Sequence, residues 1–185
     1  MQHIQSLKHH FLIAMPQLKG SVFARSVVYL CEYNDEGAMG LILSRPMNVE
    51  FADICEQLSL PCLPSVKPPV LHGGPVSQEH GFILHRELGN WQSSLSITED
   101  AHLTSSRDIL EAIAAGSGPR YYRIALGYSG WTAGQLDAEL RENTWLTLAA
   151  TPELIYDTSA DELYDAALAT LGVGLEFLTG DSGHA

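Results

Sequence analysis

Residues 26–33, SVVYLCEY, are followed by Asn34-Asp35-Glu36-Gly37 and then by AMGLILS, residues 38–44. Both outer runs are rich in strand-forming residues, and the four residues between them have turn chemistry. β-rich runs joined this closely pair with each other, so the spacing predicts an antiparallel hairpin. An antiparallel pair set so early in the chain limits the fold more tightly than any other local feature.

Further runs of strand length follow the same logic. Residues 11–15, FLIAM, stop at Pro16 and read as a buried strand. Residues 70–76 and 81–85 are apolar runs split by Ser77-Gln78-Glu79-His80. They predict a second hairpin, its first arm kinked by Gly73-Gly74-Pro75. Residues 95–97, 121–126 and 145–149 read as further strands. Phe51, Ile54, Cys55 and Leu58 mark one face of a short helix. Four prolines between residues 60 and 69 make that stretch a loop. Ser105 with Asp108 predicts a helix start, with Ile109, Leu110 and Ile113 as its apolar face and Gly116 as its stop. Thr132 with Gln135, and Ser159 with Glu162, have capping-box spacing. The second box opens a helix along Leu163, Ala167 and Leu171 that stops at Gly172. Hairpins come first, helices are interspersed later, and regular βαβ alternation is missing. That pattern predicts an α+β fold rather than a doubly wound sheet. A length of 185 residues without internal repeats suits one domain, 1–185, with residues 1–10 and 180–185 expected to be flexible.

Apolar residues form 45% of the chain and charged residues 17%, which supplies a core and excludes a disordered chain. The net charge of −12 argues against a general nucleic-acid or anionic-membrane binder, since both need a basic footprint. The first 31 residues are an exception, with Lys8, Lys19 and Arg25 and no acid. Weak nucleic-acid binding through that segment is the one polyanion contact left open. Cys31, Cys55 and Cys62 form no C-x-x-C, which fits buried thiols in a reducing compartment better than a disulfide framework. No apolar stretch approaches the roughly 20 residues of a membrane span. FLIAM is too short for the core of a signal peptide, so the expected location is the cytoplasm.

Residues 127–140, GYSGWTAGQLDAEL, raise the question of a catalytic serine. A nucleophile elbow keeps the positions around its serine small, but Trp131 stands where the second glycine belongs. The elbow also needs a later acid and histidine, and the only later histidine is His184. The run therefore predicts a structural corner from strand to helix, with Thr132 and Gln135 capping a helix N-terminus that faces a ligand. His72, His80 and His85 have no carboxylate or thiolate at ligand spacing, so hydrogen-bonded histidines are expected rather than a metal site. Neither a Walker loop nor a dinucleotide glycine motif occurs, and no cofactor is expected.

Four blocks in order, FLIAMP, SVVYLCEYNDEGAMGLILSRP, GGPVSQEHGFILH and LGYSGWTAGQLDAELRENTWL, closely resemble the YqgE/AlgH family of uncharacterised bacterial proteins. The resemblance runs from Phe11 to about Gly174. It implies an α+β fold of coiled, bifurcated, mostly antiparallel sheets with flanking helices, in a cytoplasmic bacterial protein. Family members have no established catalytic activity, and one branch is named for a role in regulating alginate synthesis. Ser44 and His80 depart from the family pattern, standing where asparagine and arginine are common.

The expected function is thus a non-enzymatic binding or regulatory module, acting on transcription indirectly if at all, with a protein or small molecule as partner. Arg45, Gly73, Gly74, His85, Ser129, Trp131, Thr132 and Gln135 are the candidate ligand-binding residues. No catalytic residue is assigned. The alternative is an enzyme for a small anionic substrate, which would need His85 and Ser129 in one cleft.

Overall fold

The computed structural model describes residues 6–18, 20–21 and 23–172. The expected flexible ends at 1–5 and 180–185 lie outside the described residues, whereas His10 already opens the first strand. The strands are β1 (His10–Ala14), β2 (Val27–Asn34), β3 (Gly37–Ile42), β4 (Val70–His72), β5 (Val76–His85), β6 (Ser94–Thr98), β7 (Ala101–Thr104), β8 (Tyr122–Thr132) and β9 (Trp145–Ala149). The helices are α1 (Phe51–Gln57), α2 (Arg107–Ala114), α3 (Gln135–Arg141), α4 (Pro152–Tyr156) and α5 (Ala160–Leu171).

The first predicted hairpin forms. β2 and β3 pair antiparallel around Asp35-Glu36, and Asn34 Oδ1 accepts the Glu36 N–H at 2.8 Å. The nine strands make one sheet in the order β6-β7-β5-β8-β3-β2-β1-β9, with β4 beside β8. β8 is the pivot. One of its edges pairs with β5 from Tyr122 to Tyr128. Its other edge pairs first with β4, in parallel, at Ile124 to Leu126, and then with β3 at Ser129 to Thr132. The sheet forks where β4 hands over to β3.

Strand alternation separates the two faces. Phe11 and Ile13 of β1 join Tyr29, Leu41, Leu84 and Ala125 in a cluster drawn from both ends of the sheet. Leu154 and Ile155 of α4 and Leu163 and Leu168 of α5 complete it, so the sheet curls around this core. Leu12 and Ala14 face the other way, against Leu136 of α3. At the β4-β5-β8 end, α1 and α2 pack Phe51, Ile54, Ile109 and Ile113 onto Val70, Ile83 and Ile124. Each such fully buried side chain contributes roughly 1.5–3 kcal/mol relative to exposure. The result is an α+β fold, a curled and mostly antiparallel sheet with flanking helices, as the resemblance implied.

Several local expectations are corrected. Residues 70–76 and 81–85 are not two arms of a hairpin. β4 and β5 lie on opposite edges of β8, and Ser77 to His80 form a bulge inside β5, with Ser77 at φ 49. The expected corner at Ser129 does not exist either, because β8 runs on to Thr132. α3 starts at Gln135 with Gly134 as its cap, at φ 77. Gln135 Oε1 still reaches back to the Thr132 N–H at 3.0 Å, but Thr132 is too early to cap the helix. The cap of α2 is Ser106 rather than Ser105, and Asp108 accepts the N–H of Gln92 at 2.8 Å. α5 starts after Ser159 and ends at Gly172 as expected, without a side-chain cap. β7 and α4 were not anticipated. All four residues of β7 are buried, so it shows no alternation. α4 carries a Thr151 cap and a proline in its first turn, a readable start signal.

Candidate functional site

The glycines and the serine that drew attention in the sequence meet at the fork of the sheet. Gly73 and Gly74 cross β8 so closely that a Cβ on Gly73 would lie 2.3 Å from the Gly127 carbonyl oxygen, and one on Gly74 would lie 2.2 Å from that of Tyr128. Ser129 is fully buried, and its Oγ donates to the Gly73 carbonyl at 3.1 Å. The same carbonyl accepts the Ile42 N–H at 2.9 Å. Ser129 therefore ties the three branches of the fork together. It has no base beside it: His85 stands opposite Tyr122, seven positions back along β8, roughly 20 Å away at the rise of a strand.

His85 is fully buried in the β5–β7 pair, opposite His102. Its Nδ1 lies 2.8 Å from the Glu87 carbonyl, which only accepts, so Nδ1 carries the proton. Nε2 then accepts from Thr104 Oγ1 at 2.7 Å. His102 contacts Ser96 Oγ through Nδ1 at 2.9 Å, while its buried Nε2 has no partner among the described residues. The two rings lie 5.6 Å apart. Burial first, opposed by the Glu87 carbonyl and aided by His102, holds His85 below its ordinary value of 6.5. A histidine kept neutral by the fold stabilises fully above that value, and the contribution is lost as pH falls below it towards the depressed folded value. His85→Gln cannot titrate. The stability of the native chain measured against that variant is expected to decline as pH falls below about 6.5, in urea titrations at matched ionic strength. A difference that is flat or grows with acid would contradict the assignment.

The remaining candidates are scattered. Arg45 donates to the Ala24 carbonyl at 2.9 Å and so braces the loop before β2. Trp131 and Trp145 are buried edge-to-face with centroids 6.0 Å apart, and Phe23 lies against both. Both indole N–H groups donate to Glu139 Oε1, at 3.3 and 3.2 Å. Thr132 and Gln135 are exposed. In the acid-free N-terminal segment, Arg25 pairs with Asp165 at 3.5 Å and covers the Tyr164 ring at 4.7 Å. Among the described residues no group of three or more His, Cys, Asp or Glu side chains could hold a metal ion, and no helix is long and apolar enough to cross a membrane.

Several hollows open on the surface among the described residues. An open groove of about 640 Å³ runs across β3, β8, β5, β7 and β6 on the core-facing side of the sheet. Its walls include Met39, Val76, Phe82, Leu95, Leu103 and Tyr128. Phe82 and Tyr128 meet edge-to-face at 5.6 Å, while Val76 and Leu95 are each 38% exposed. Glu32 stands at one end beside Trp131 and Thr132, and an adjoining hollow of about 220 Å³ adds Glu36. Among the described residues no lysine, arginine or histidine lines either. A second cavity, about 550 Å³, lies between α1 and the proline loop, residues 60–69. A third, about 420 Å³, lies under the β5 bulge and contains His80 and Arg107. Of the candidate residues only Trp131 and Thr132 line any of these, and both line the groove. The groove's own apolar residues escaped sequence reasoning. Their signal is an exposed leucine on an edge strand, and which strand forms the edge is fixed only by long-range pairing.

The comparisons bear on the family and the fold. The AlgH-like family model matches residues 11–176. A UPF0301 protein from Chromobacterium violaceum is 47% identical over 182 residues, 97% of this chain and 98% of that protein. One from Vibrio cholerae is 45% identical over 97% of this chain and 100% of its own length. The solution structure of the AlgH protein from Pseudomonas aeruginosa superposes with a TM-score of 0.79 at 44% identity, covering 100% of this chain and 99% of that one. A crystal structure from Corynebacterium diphtheriae shares the fold, with a TM-score of 0.72 at 18% identity over 92% of this chain and 90% of that one. Matched along almost its whole length in sequence and in fold, the chain belongs to the uncharacterised YqgE/AlgH family.

Proposed function

We propose that this chain is a cytoplasmic, single-domain binding module with no catalytic activity of its own, whose groove holds an extended segment of a protein partner. The observation that carries the reading is the groove: an open apolar trough with, among the described residues, Glu32 and Glu36 at its end and no basic side chain. That chemistry selects a segment bearing apolar and basic side chains. β6 is an edge strand, and beyond it no further strand pairs among the described residues. A partner segment adds there as a further strand while its alternate side chains enter the groove. Any effect on transcription then passes through this partner, since a net charge of −12 opposes contact with DNA.

Calorimetric titration tests the reading. A peptide alternating Leu and Lys is expected to bind, more weakly as salt rises, while its Leu/Glu counterpart does not. Leu95→Asp and Glu32→Lys should each weaken binding about tenfold, equal to about 1.4 kcal/mol. Equal binding of both peptides, or unchanged affinity in both variants, would overturn it.

A further inference from the structure

Cys55 and Cys62 lie where the proline loop packs against α1. Cys55 is buried on α1, and Cys62 packs against the apolar cluster that holds it. Cys62 sits on the proline loop, half-buried, with its Sγ 3.5 Å from the Leu63 carbonyl. The loop is held to α1 at its base by the Leu60 N–H, which donates to the Cys55 carbonyl at 2.8 Å. The Leu63 N–H in turn donates to the Ala114 carbonyl of α2 at 3.0 Å. Two thiols at one apolar cluster, on segments anchored two residues before and one residue after Cys62, need little movement to bond. Cys62 also lines the cavity of about 550 Å³, which is open to small solutes.

We propose that Cys55 and Cys62 form a reversible redox-modification site, oxidised by a low-molecular-weight disulfide such as glutathione disulfide to a bond that pins the proline loop to α1. The steps balance by thiol–disulfide exchange. The Cys62 thiolate, reached through the cavity, attacks one sulfur of glutathione disulfide. The glutathione S–S bond breaks, and one glutathione thiolate leaves and takes the proton given up by Cys62. The Cys55 thiolate then attacks Cys62 Sγ, the mixed disulfide breaks, and a second glutathione leaves with the Cys55 proton. Two protein thiols are oxidised and one glutathione disulfide is reduced to two thiols. The order follows from the surroundings, because burial first and the Cys62 thiol second push the Cys55 thiol up, so the more exposed Cys62 reacts first. Cys31, fully buried on β2, is outside the exchange.

The test is intact-mass and peptide analysis of the folded chain after incubation with glutathione disulfide, with acid quenching. The native chain is expected to lose two hydrogens, to yield a peptide pair cross-linked at Cys55 and Cys62, and to return to the starting mass with dithiothreitol. Cys55→Ser and Cys55→Ala should both stop at one glutathione, attached to Cys62, and Cys62→Ser should take up none. A native chain that remains fully reduced, that keeps glutathione on Cys62, or that cross-links a different pair would overturn the proposal. So would a Cys62→Ser chain that takes up glutathione at Cys55.

Discussion

Gly74→Ala is expected to destabilise the chain by about 3 kcal/mol or more and to lower its melting temperature by roughly 10 °C. The added Cβ would lie 2.2 Å from both the carbonyl carbon and the oxygen of Tyr128, and 2.5 Å from the Ser129 nitrogen. Those are backbone atoms of β8, held by β5 on one edge and by β3 on the other. They cannot move aside without unpairing the centre of the sheet. Ser129→Ala makes a sharp contrast. It removes one hydrogen bond but leaves the Gly73 carbonyl bonded to the Ile42 N–H at 2.9 Å, so it should cost only about 1 kcal/mol. Urea denaturation of both variants checks the pair. A Ser129→Ala loss equal to that of Gly74→Ala would mean that the hydroxyl does more than tie the fork.

Arg123→Ala is expected to cost about 3 kcal/mol, and Arg123→Lys should recover less than half of it. The guanidinium leaves β8 and donates to three carbonyls, those of Ile155 at 2.9 Å, Tyr156 at 3.0 Å and Thr158 at 2.6 Å. These are carbonyls at and just beyond the end of α4, which a five-residue helix cannot satisfy internally. The planar fork of arginine reaches all three at once, whereas a lysine ammonium is a single point of charge. Losing the arginine frees α4, which together with α5 covers the core inside the curl. Melting curves of the three proteins decide the matter. A lysine variant as stable as the native chain would show that charge near these carbonyls suffices.

How much of this was legible in the sequence depended on how local each cause is. Residues 26–44 declared their hairpin because the turn and both strands lie within one short segment. The helical faces of Phe51, Ile54 and Cys55 and of Ile109, Leu110 and Ile113 were readable for the same reason. Gly73-Gly74-Pro75 misled because a kink within one strand and a crossing beneath another strand both need small residues. Only the pairing of β4 and β5 with opposite edges of β8 separates the two. GYSGW read as a corner because two glycines weaken a strand in isolation, yet β3 and β5 hold it extended. The candidate site was less legible than the fold. Gly73, Gly74, Ser129 and His85 are where the backbone is most constrained, and they are buried. The groove is built from ordinary apolar residues of five strands distant in sequence, which carry no motif.

The central claim is that binding lies in the groove, while the recognisable glycine and serine motifs build the fork. Amide chemical-shift mapping during titration with the Leu/Lys peptide tests it most directly. The expected result is a set of shifts that saturate together at Met39, Phe82, Leu95, Leu103, Tyr128 and Gly130, with His80, Arg107 and the proline loop unmoved. Shifts gathered instead around His80 and Arg107 or around Cys62 and Pro64, or none at saturating peptide, would contradict it.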